Sequence, residues 1–150
     1  RMKALFVIDV QKEYIDKYPE DLLPRINERI QEAQENNELI IYVKNLRKLK
    51  SGTMSYDFAP ELRLYSENVI YKDKSSIFSN NELVNILKNN NISEITTIGI
   101  DGCCCVASSA IDAAKSGYIS NFPCMYIGVQ NHERFQKKKL LLKKAGVIIN

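Results

Sequence analysis

The stretch Ile95-Thr-Thr-Ile-Gly-Ile-Asp-Gly-Cys-Cys-Cys-Val106, followed by the small-residue run Ala107–Ala114, decides the fold. Its β-branched start predicts a strand, its glycines predict a tight turn, and the small residues that follow are compatible with a helix. A cysteine at such a junction lies at a helix N-terminus, where free backbone N–H groups and the helix dipole favour an anion. Cys103, Cys104 and Cys105 are therefore candidate nucleophiles, and this position predicts a lowered thiol pKa.

The rest of the chain repeats this alternation of apolar runs and helix-period segments. Continuous apolar runs are typical of strands buried on both faces, and strands that alternate with helices predict a parallel sheet. The predicted fold class is a doubly wound, mostly parallel α/β sheet with helices on both faces (Rossmann-like, three-layer), in a single domain over residues 1–150. Segment 47–60 is predicted to be a loop. The predicted strands are Leu5–Ile8, Glu38–Val43, Asn68–Lys72, Glu94–Ile100, one strand within Tyr118–Val129, and Val147–Ile149; the predicted helices are Leu22–Ala33, Leu83–Leu87, Cys105–Ser116 and Phe135–Ala145.

Composition argues against several classes of function. The 150 residues carry a net charge of only +3, which gives no support for nucleic-acid binding. No apolar run reaches the roughly 20 residues of a membrane-spanning helix. The four cysteines lack Cys-x-x-Cys spacing and the chain has one histidine, so we predict no metal site and no cofactor. The cysteine pattern fits a reducing compartment, and the sequence shows no signal-peptide pattern. Together these features predict a cytoplasmic protein.

Three chemically notable residues fall at the carboxyl ends of predicted strands. Asp9 follows the first strand, Lys72 ends the third, and Cys105 lies just after the strand that ends at Ile100. In doubly wound sheets, ligands bind beyond these strand ends. A cysteine hydrolase needs a thiolate, a proton acceptor and donors for an oxyanion. Asp9 can accept the thiol proton if burial raises its pKa, and Lys72 can hold the two negative charges together.

Three motifs in this chain also carry a family resemblance. They are Val7-Ile-Asp-Val-Gln11, Lys72-Asp-Lys-Ser-Ser-Ile-Phe78 and Gly99-Ile-x₄-Cys105-Val106. In order and spacing they resemble the isochorismatase-like cysteine hydrolase superfamily, which includes nicotinamidases and carbamoyl amidohydrolases. The resemblance covers about residues 3–129. It implies a hydrolase that cleaves a C–N bond of a small amide, ureide or carbamoyl compound through a thioester at Cys105.

The resemblance further implies a role for each residue of the triad. Cys105 would attack the carbonyl carbon, Asp9 would take and return the proton, and Lys72 would stabilise charge. A non-proline cis peptide bond between Ile100 and Asp101 would aim the N–H groups of Asp101 and Cys105 at the oxyanion. Family members commonly form oligomers, so the resemblance also implies a homo-oligomer that acts on a small molecule.

Other residues are weaker candidates. Gln11 is expected either to line the pocket or to hydrogen-bond the loop that carries Asp9. Tyr14 and Phe78 are expected either to lie in the core or to stack on a substrate. Cys103 and Cys104 are expected to fill the turn and the helix start.

The chain departs from the family's pattern in several places, and two other functions stay open. Gly102 stands where the family commonly has Thr, and residues 44–71 contain no histidine, whereas metal-binding nicotinamidases carry an Asp-x-His and a further His there. One alternative is a non-catalytic binding protein that retains the fold. The other is a thiol redox switch built on residues 103–105. A low-pKa thiolate at Cys105 would distinguish the hydrolase from the binding protein.

Overall fold

A computed structural model describes residues 2–46 and 56–150 of the chain. Residues 47–55, which belong to the predicted loop 47–60, lie outside the described residues. The strands are β1 (Met2–Ile8), β2 (Leu39–Asn45), β3 (Val69–Lys72), β4 (Ile92–Ile100), β5 (Ile119–Phe122), β6 (Ile127–Gly128) and β7 (Ile148–Ile149). The helices are α1 (Lys12–Ile15), α2 (Leu22–Glu35), α3 (Asn81–Asn89), α4 (Cys105–Lys115) and α5 (His132–Lys144).

The seven strands form one parallel sheet, which confirms the predicted α/β fold. Its order is β3-β2-β1-β4-β5-β7. The short β6 pairs with the carboxyl end of β4, after the part of β4 that pairs with β5. All the pairings between these strands are parallel. The carboxyl ends of β3, β2, β1 and β4 therefore lie side by side at one edge of the sheet.

Helices cover both faces of the sheet because successive strand residues point to opposite sides. On one face, Leu5 and Val7 of β1 pack in a buried cluster with the apolar side of α2. On the other face, Phe6 and Ile8 belong to a second cluster, to which α3, α4 and α5 contribute. Within residues 2–46 and 56–150, no helix is long and apolar enough to cross a bilayer.

The structure differs from the sequence expectation in three local features. The helix α1 is a single turn, which is too short to produce a periodic apolar pattern. The strand predicted within Tyr118–Val129 is two strands, β5 and β6, because a 3₁₀ turn at Cys124–Tyr126 follows Pro123. A second 3₁₀ turn, at Ile77–Ser79, precedes α3.

A close approach of β1 and β4 requires a glycine. Gly99 has a φ of +116°, and a Cβ atom placed on it would lie 2.2 Å from the carbonyl oxygen of Ile8. No side chain fits at that distance, and L-residues with a Cβ disfavour this φ. Gly99 thus brings the end of β1 against the end of β4, immediately before Asp9 on one strand and Ile100 on the other.

The alanine substitution at Gly99 tests this constraint against a matched glycine. Gly117 has a φ of +93° and open space around its Cβ position. We expect Gly117→Ala to lower the free energy of unfolding by about 1 kcal/mol, the cost of the left-handed conformation alone. Gly99→Ala adds the overlap with the backbone of Ile8, and we expect a loss of about 3 kcal/mol or more. Urea unfolding of both variants measures the difference, and equal losses would contradict the steric argument.

Candidate active site

Asp9 lies directly after β1 and is almost completely buried, with 3% of its surface exposed. Its backbone has a positive φ of 57°, a conformation that Asp tolerates better than most residues. Its N–H donates to the carbonyl oxygen of Val43 at 3.2 Å, which ties the end of β1 to β2. The turn therefore fixes the Asp9 carboxyl at the carboxyl edge of the sheet.

Lys72, the last residue of β3, supplies the cation of the site. Its Nζ donates to Oδ2 of Asp9 at 3.2 Å and to the carbonyl oxygen of Lys74 at 3.2 Å. The Lys72 and Asp9 side chains are 0% and 5% exposed, so the ion pair is shielded from water. Of the two lysines in the motif that starts at Lys72, the structure places Lys72, and not Lys74, in the ion pair with Asp9.

Cys105 is the first residue of α4 and lies beside the Asp9–Lys72 pair, with 6% of its surface exposed. The expectation that its position at the helix N-terminus lowers the thiol pKa is wrong. Burial raises the pKa of Cys105 to about 11, and the nearby negative charge of Asp9 raises it as well, whereas Lys72 opposes the shift. The removal of water from around the sulfur is the largest cause of this shift. In the resting site, the sulfur therefore holds its proton.

The Asp9 carboxyl has a raised pKa of its own. Burial is the largest cause, and the charge of Lys72 opposes it, together with hydrogen bonds from Cys105, Lys72 and Asn45. The two carboxyl oxygens also differ. Oδ2 accepts from Lys72, whereas within the described residues Oδ1 is buried and has no hydrogen-bond donor. A buried carboxyl oxygen without a donor retains its capacity to take a proton.

Asn45, at the end of β2, is a site residue that the sequence reasoning missed. Its Nδ2 lies 3.4 Å from Oδ2 of Asp9 and 3.9 Å from Sγ of Cys105. The signal that could have found it is the one used for Asp9 and Lys72, because Asn45 is a polar residue that directly follows an apolar run. With Asn45 included, the neighbouring strand ends of β3, β2, β1 and β4 each bring one residue to the site.

The side chain of Gln11 holds the backbone of Asn45. Oε1 of Gln11 accepts from the N–H of Asn45 at 2.7 Å, and its Nε2 donates to the carbonyl oxygen of Asn45 at 3.2 Å. Gln11 is completely buried. Of its two expected roles, the structure therefore favours the structural one, although the side chain holds the end of β2 and not the Asp9 loop.

The peptide bond between Ile100 and Asp101 is cis, at the position where the family resemblance places it. In the turn that follows, the N–H groups of Cys104 and Val106 both donate to the carbonyl oxygen of Asp101, at 3.1 Å. Across residues 2–46 and 56–150, the N–H groups of Asp101 and Cys105 have no such acceptor. They are available to bind an oxygen that carries negative charge.

The Asp101 side chain has a structural role. Its Oδ1 accepts from the N–H of Cys103 at 2.7 Å, and its Oδ2 accepts from the N–H of Gln130 at 3.0 Å and from the hydroxyl of Tyr18 at 2.9 Å. Burial and the Asp101 charge raise the pKa of Tyr18, so this hydroxyl stays a donor. Asp101 thereby joins the turn that precedes Cys105 to two other segments, and sequence patterns gave no sign of Tyr18.

The remaining candidates lie elsewhere. Phe78 packs between Phe6 and Tyr118, with ring centroids 6.1 and 6.3 Å away. It therefore packs against the buried cluster on the sheet face that α4 covers. Tyr14 packs against the cluster that contains α2. Cys103 is buried in the turn and Cys104 precedes α4. In the part of the chain that the structure describes, no group of three or more His, Cys, Asp or Glu side chains could hold a metal ion.

Comparisons with known proteins agree with the fold. Residues 3–122 match the isochorismatase domain. The pyrazinamidase of Pyrococcus horikoshii, solved in complex with zinc, is similar in fold, with a TM-score of 0.87 and 20% identity over 100% of this chain and 99% of that one. An N-carbamoylsarcosine amidase from Thermoplasma acidophilum has a TM-score of 0.84 and 19% identity over 100% and 96%. No curated protein sequence matches the chain. The structural likeness thus extends beyond residue 129, where the sequence resemblance fades.

The charges around Cys105 predict that two substitutions shift its thiol pKa in opposite directions. Asp9→Asn removes a negative charge that raises the thiol pKa, so alkylation of Cys105 by iodoacetamide should become faster at each pH between 7 and 9. Lys72→Met removes the charge that lowers the thiol pKa, so alkylation should become slower. Each unit of pKa change alters the thiolate fraction about tenfold in this range.

Fragment-ion mass spectrometry separates Cys105 from its two neighbours in this assay, and Cys124 serves as the internal reference. Shifts of the same sign in the two variants would contradict the assigned electrostatics.

Proposed function

The chain belongs to the isochorismatase family, whose members are hydrolases, and we propose that it cleaves a C–N bond of a small amide, ureide or carbamoyl compound through a thioester at Cys105. The convergence of Lys72, Asp9 and Cys105 in one buried cluster carries this proposal. An acid, a cation and a thiol that share a water-poor site are the groups that acyl transfer from nitrogen needs. No resident metal or cofactor enters the proposed reaction.

The first half-reaction forms the thioester. As Sγ of Cys105 attacks the carbonyl carbon, its proton passes to the Asp9 carboxylate, so the S–H bond breaks and a carboxyl O–H bond forms. The developing oxyanion lies against the free N–H groups of Asp101 and Cys105. Collapse of this intermediate breaks the C–N bond, and the proton on Asp9 passes to the departing nitrogen, which leaves as ammonia or an amine.

The second half-reaction releases the acid. Asp9 takes a proton from a water molecule, which attacks the thioester carbonyl at the same oxyanion position. The C–S bond then breaks, and the sulfur recovers its proton from Asp9. Lys72 stays bonded to Oδ2 throughout and offsets the charge that alternates between oxygen and sulfur.

The raised pKa of the Asp9 carboxyl supports its role as the base, whereas the raised thiol pKa of Cys105 acts against the proton transfer. A carboxylate of ordinary acidity is a poor acceptor for a thiol proton, because the two pKa values differ by about five units in water. Burial raises the carboxyl pKa of Asp9, which makes it a stronger base. The charge of Lys72 opposes this rise and favours the ionised form of the carboxyl.

Substitution of the nucleophile tests the proposal directly. Cys105→Ala should lower ammonia or amine release from a panel of small carboxamides, ureides and N-carbamoyl compounds by on the order of 10⁴-fold or more. Cys103→Ala is the matched control, because this neighbouring thiol is buried in the same turn and should leave the rate within about threefold. Cys105→Ala with undiminished turnover would rule out the thioester.

Asp9→Asn gives a second signature that a structural role does not produce. The amide cannot accept a proton, so turnover should fall by about 10²–10⁴-fold. The same substitution should accelerate alkylation of Cys105 by removing the neighbouring charge. Loss of catalysis with a gain of thiol reactivity identifies Asp9 as the base, whereas parallel losses would indicate a collapsed site.

An activated ester provides a probe that does not depend on the natural substrate. p-Nitrophenyl acetate should acylate Cys105, with a burst of p-nitrophenol and the gain of one acetyl group in the intact mass. The acetyl group should map to Cys105 in the wild-type protein. An unmodified Cys105 under these conditions would favour the non-catalytic binding function.

A further inference from the structure

Asn45 lies between Lys72 and Asp9 in the row of four strand ends that forms the site. The sheet order β3-β2-β1-β4 places β2 between the strands that carry Lys72 and Asp9. Asn45 pairs in register with Lys72, and its side chain is directed toward Asp9 and Cys105. Its amide, like the ammonium of Lys72, is a donor that reaches both the carboxyl and the thiol.

The amide nitrogen of Asn45 suits the proton transfer between these two groups. Its two hydrogens can serve two acceptors at once. Before the transfer, the negative charge lies on the Asp9 carboxylate, 3.4 Å from Nδ2; after it, the charge lies on the Cys105 sulfur, 3.9 Å from the same atom. A donor that contacts both positions stabilises the charge on either side of the transfer.

The clamp by Gln11 fixes where this donor lies. Gln11 bonds both the N–H and the carbonyl oxygen of Asn45 from a fully buried position. Two hydrogen bonds to one residue's backbone restrict its rotation about the strand axis and hence the direction of its side chain. Gln11 follows Asp9 by two residues, so the same loop carries the base and the clamp.

We propose that Asn45 is a positioning residue that directs an N–H toward Asp9 and the Cys105 thiolate, and that Gln11 acts on the site through Asn45. This inference rests on the proposed function, because it assigns the residue to the proton transfer of that mechanism. With Oδ2 occupied by Lys72 and Asn45, the other oxygen remains for the thiol proton.

The pH profile of Cys105 alkylation by iodoacetamide tests the role of Asn45 without a known substrate. Asn45→Leu has a similar volume and no donor, and it should slow alkylation about tenfold at each pH between 7 and 9, because a hydrogen bond to the thiolate is lost. Asn45→Asp keeps the shape but replaces the donor with a carboxylate, and it should slow alkylation at least as much. Two variants of opposite polarity keep the test decisive if one of them fails to fold.

The double variant tests the path from Gln11. Gln11→Leu alone should slow alkylation about threefold, by loosening the Asn45 backbone. If Gln11 acts through Asn45, then Gln11→Leu combined with Asn45→Leu should be no slower than Asn45→Leu alone, since interacting residues are not additive. Multiplied effects in the double variant would overturn the path.

Ser120→Ala is the matched control for the loss of a buried hydrogen bond. Ser120 is buried on β5 and its hydroxyl donates to the carbonyl oxygen of Ala110 at 2.8 Å, away from the site. It should lower stability and leave the alkylation profile unchanged. A folded Asn45→Leu with the wild-type profile would overturn the positioning role. A wild-type rate of hydrolysis in Cys105→Ala would instead overturn the proposed function, so the two failures are distinguishable.

Discussion

The buried ion pair between Asp9 and Lys72 is the constraint on which the site depends. Burying either charge alone is costly, and removing one partner of such a pair typically costs about 3–5 kcal/mol. The pair therefore holds the ends of β1 and β3 in a fixed relation although β2 lies between them. Gly99 adds a second constraint, because it permits β4 to approach β1 closely enough for Cys105 to reach the pair.

The order of strands brings residues that are far apart in the sequence into one cluster of polar groups. Lys72, Asn45, Asp9 and Cys105 come from four neighbouring strand ends, although as many as 96 positions separate the first of them along the chain from the last. Parallel strands place their carboxyl ends at one edge, so each contributes a side chain to the same place. Close packing of the strands thus substitutes for local sequence proximity, and the loops remain free to vary.

The sequence predicted the sheet and the proximity of Asp9, Lys72 and Cys105 because both depend on strong local signals. Apolar runs locate the strands, and the polar residue after each run marks the functional edge, which found Asp9 and Lys72. Asn45 has the same signal and was overlooked, since no motif drew attention to it. The Tyr18 hydroxyl on Asp101 had no signal at all, because a contact between residues 83 positions apart is decided by packing alone. The thiol pKa was predicted in the wrong direction, because a helix-start pattern does not show how deeply the thiol is buried.

The direction of that shift argues against the thiol switch, although it is not the low-pKa thiolate that was expected to distinguish the hydrolase from a non-catalytic binding protein. Redox-sensing cysteines are exposed and have low pKa values, since the thiolate is the form that peroxide oxidises. Cys105 is buried and its pKa is raised to about 11, so its resting thiol resists oxidation. Cys103 is buried too, and burial raises its thiol pKa. A thiol switch that used Cys103 or Cys105 would therefore lack an exposed thiol of low pKa. A hydrolase does not need a thiolate in its resting site, because its base lies beside the sulfur and can remove the proton during attack. The same desolvation that disfavours a sensor therefore suits a nucleophile activated by Asp9.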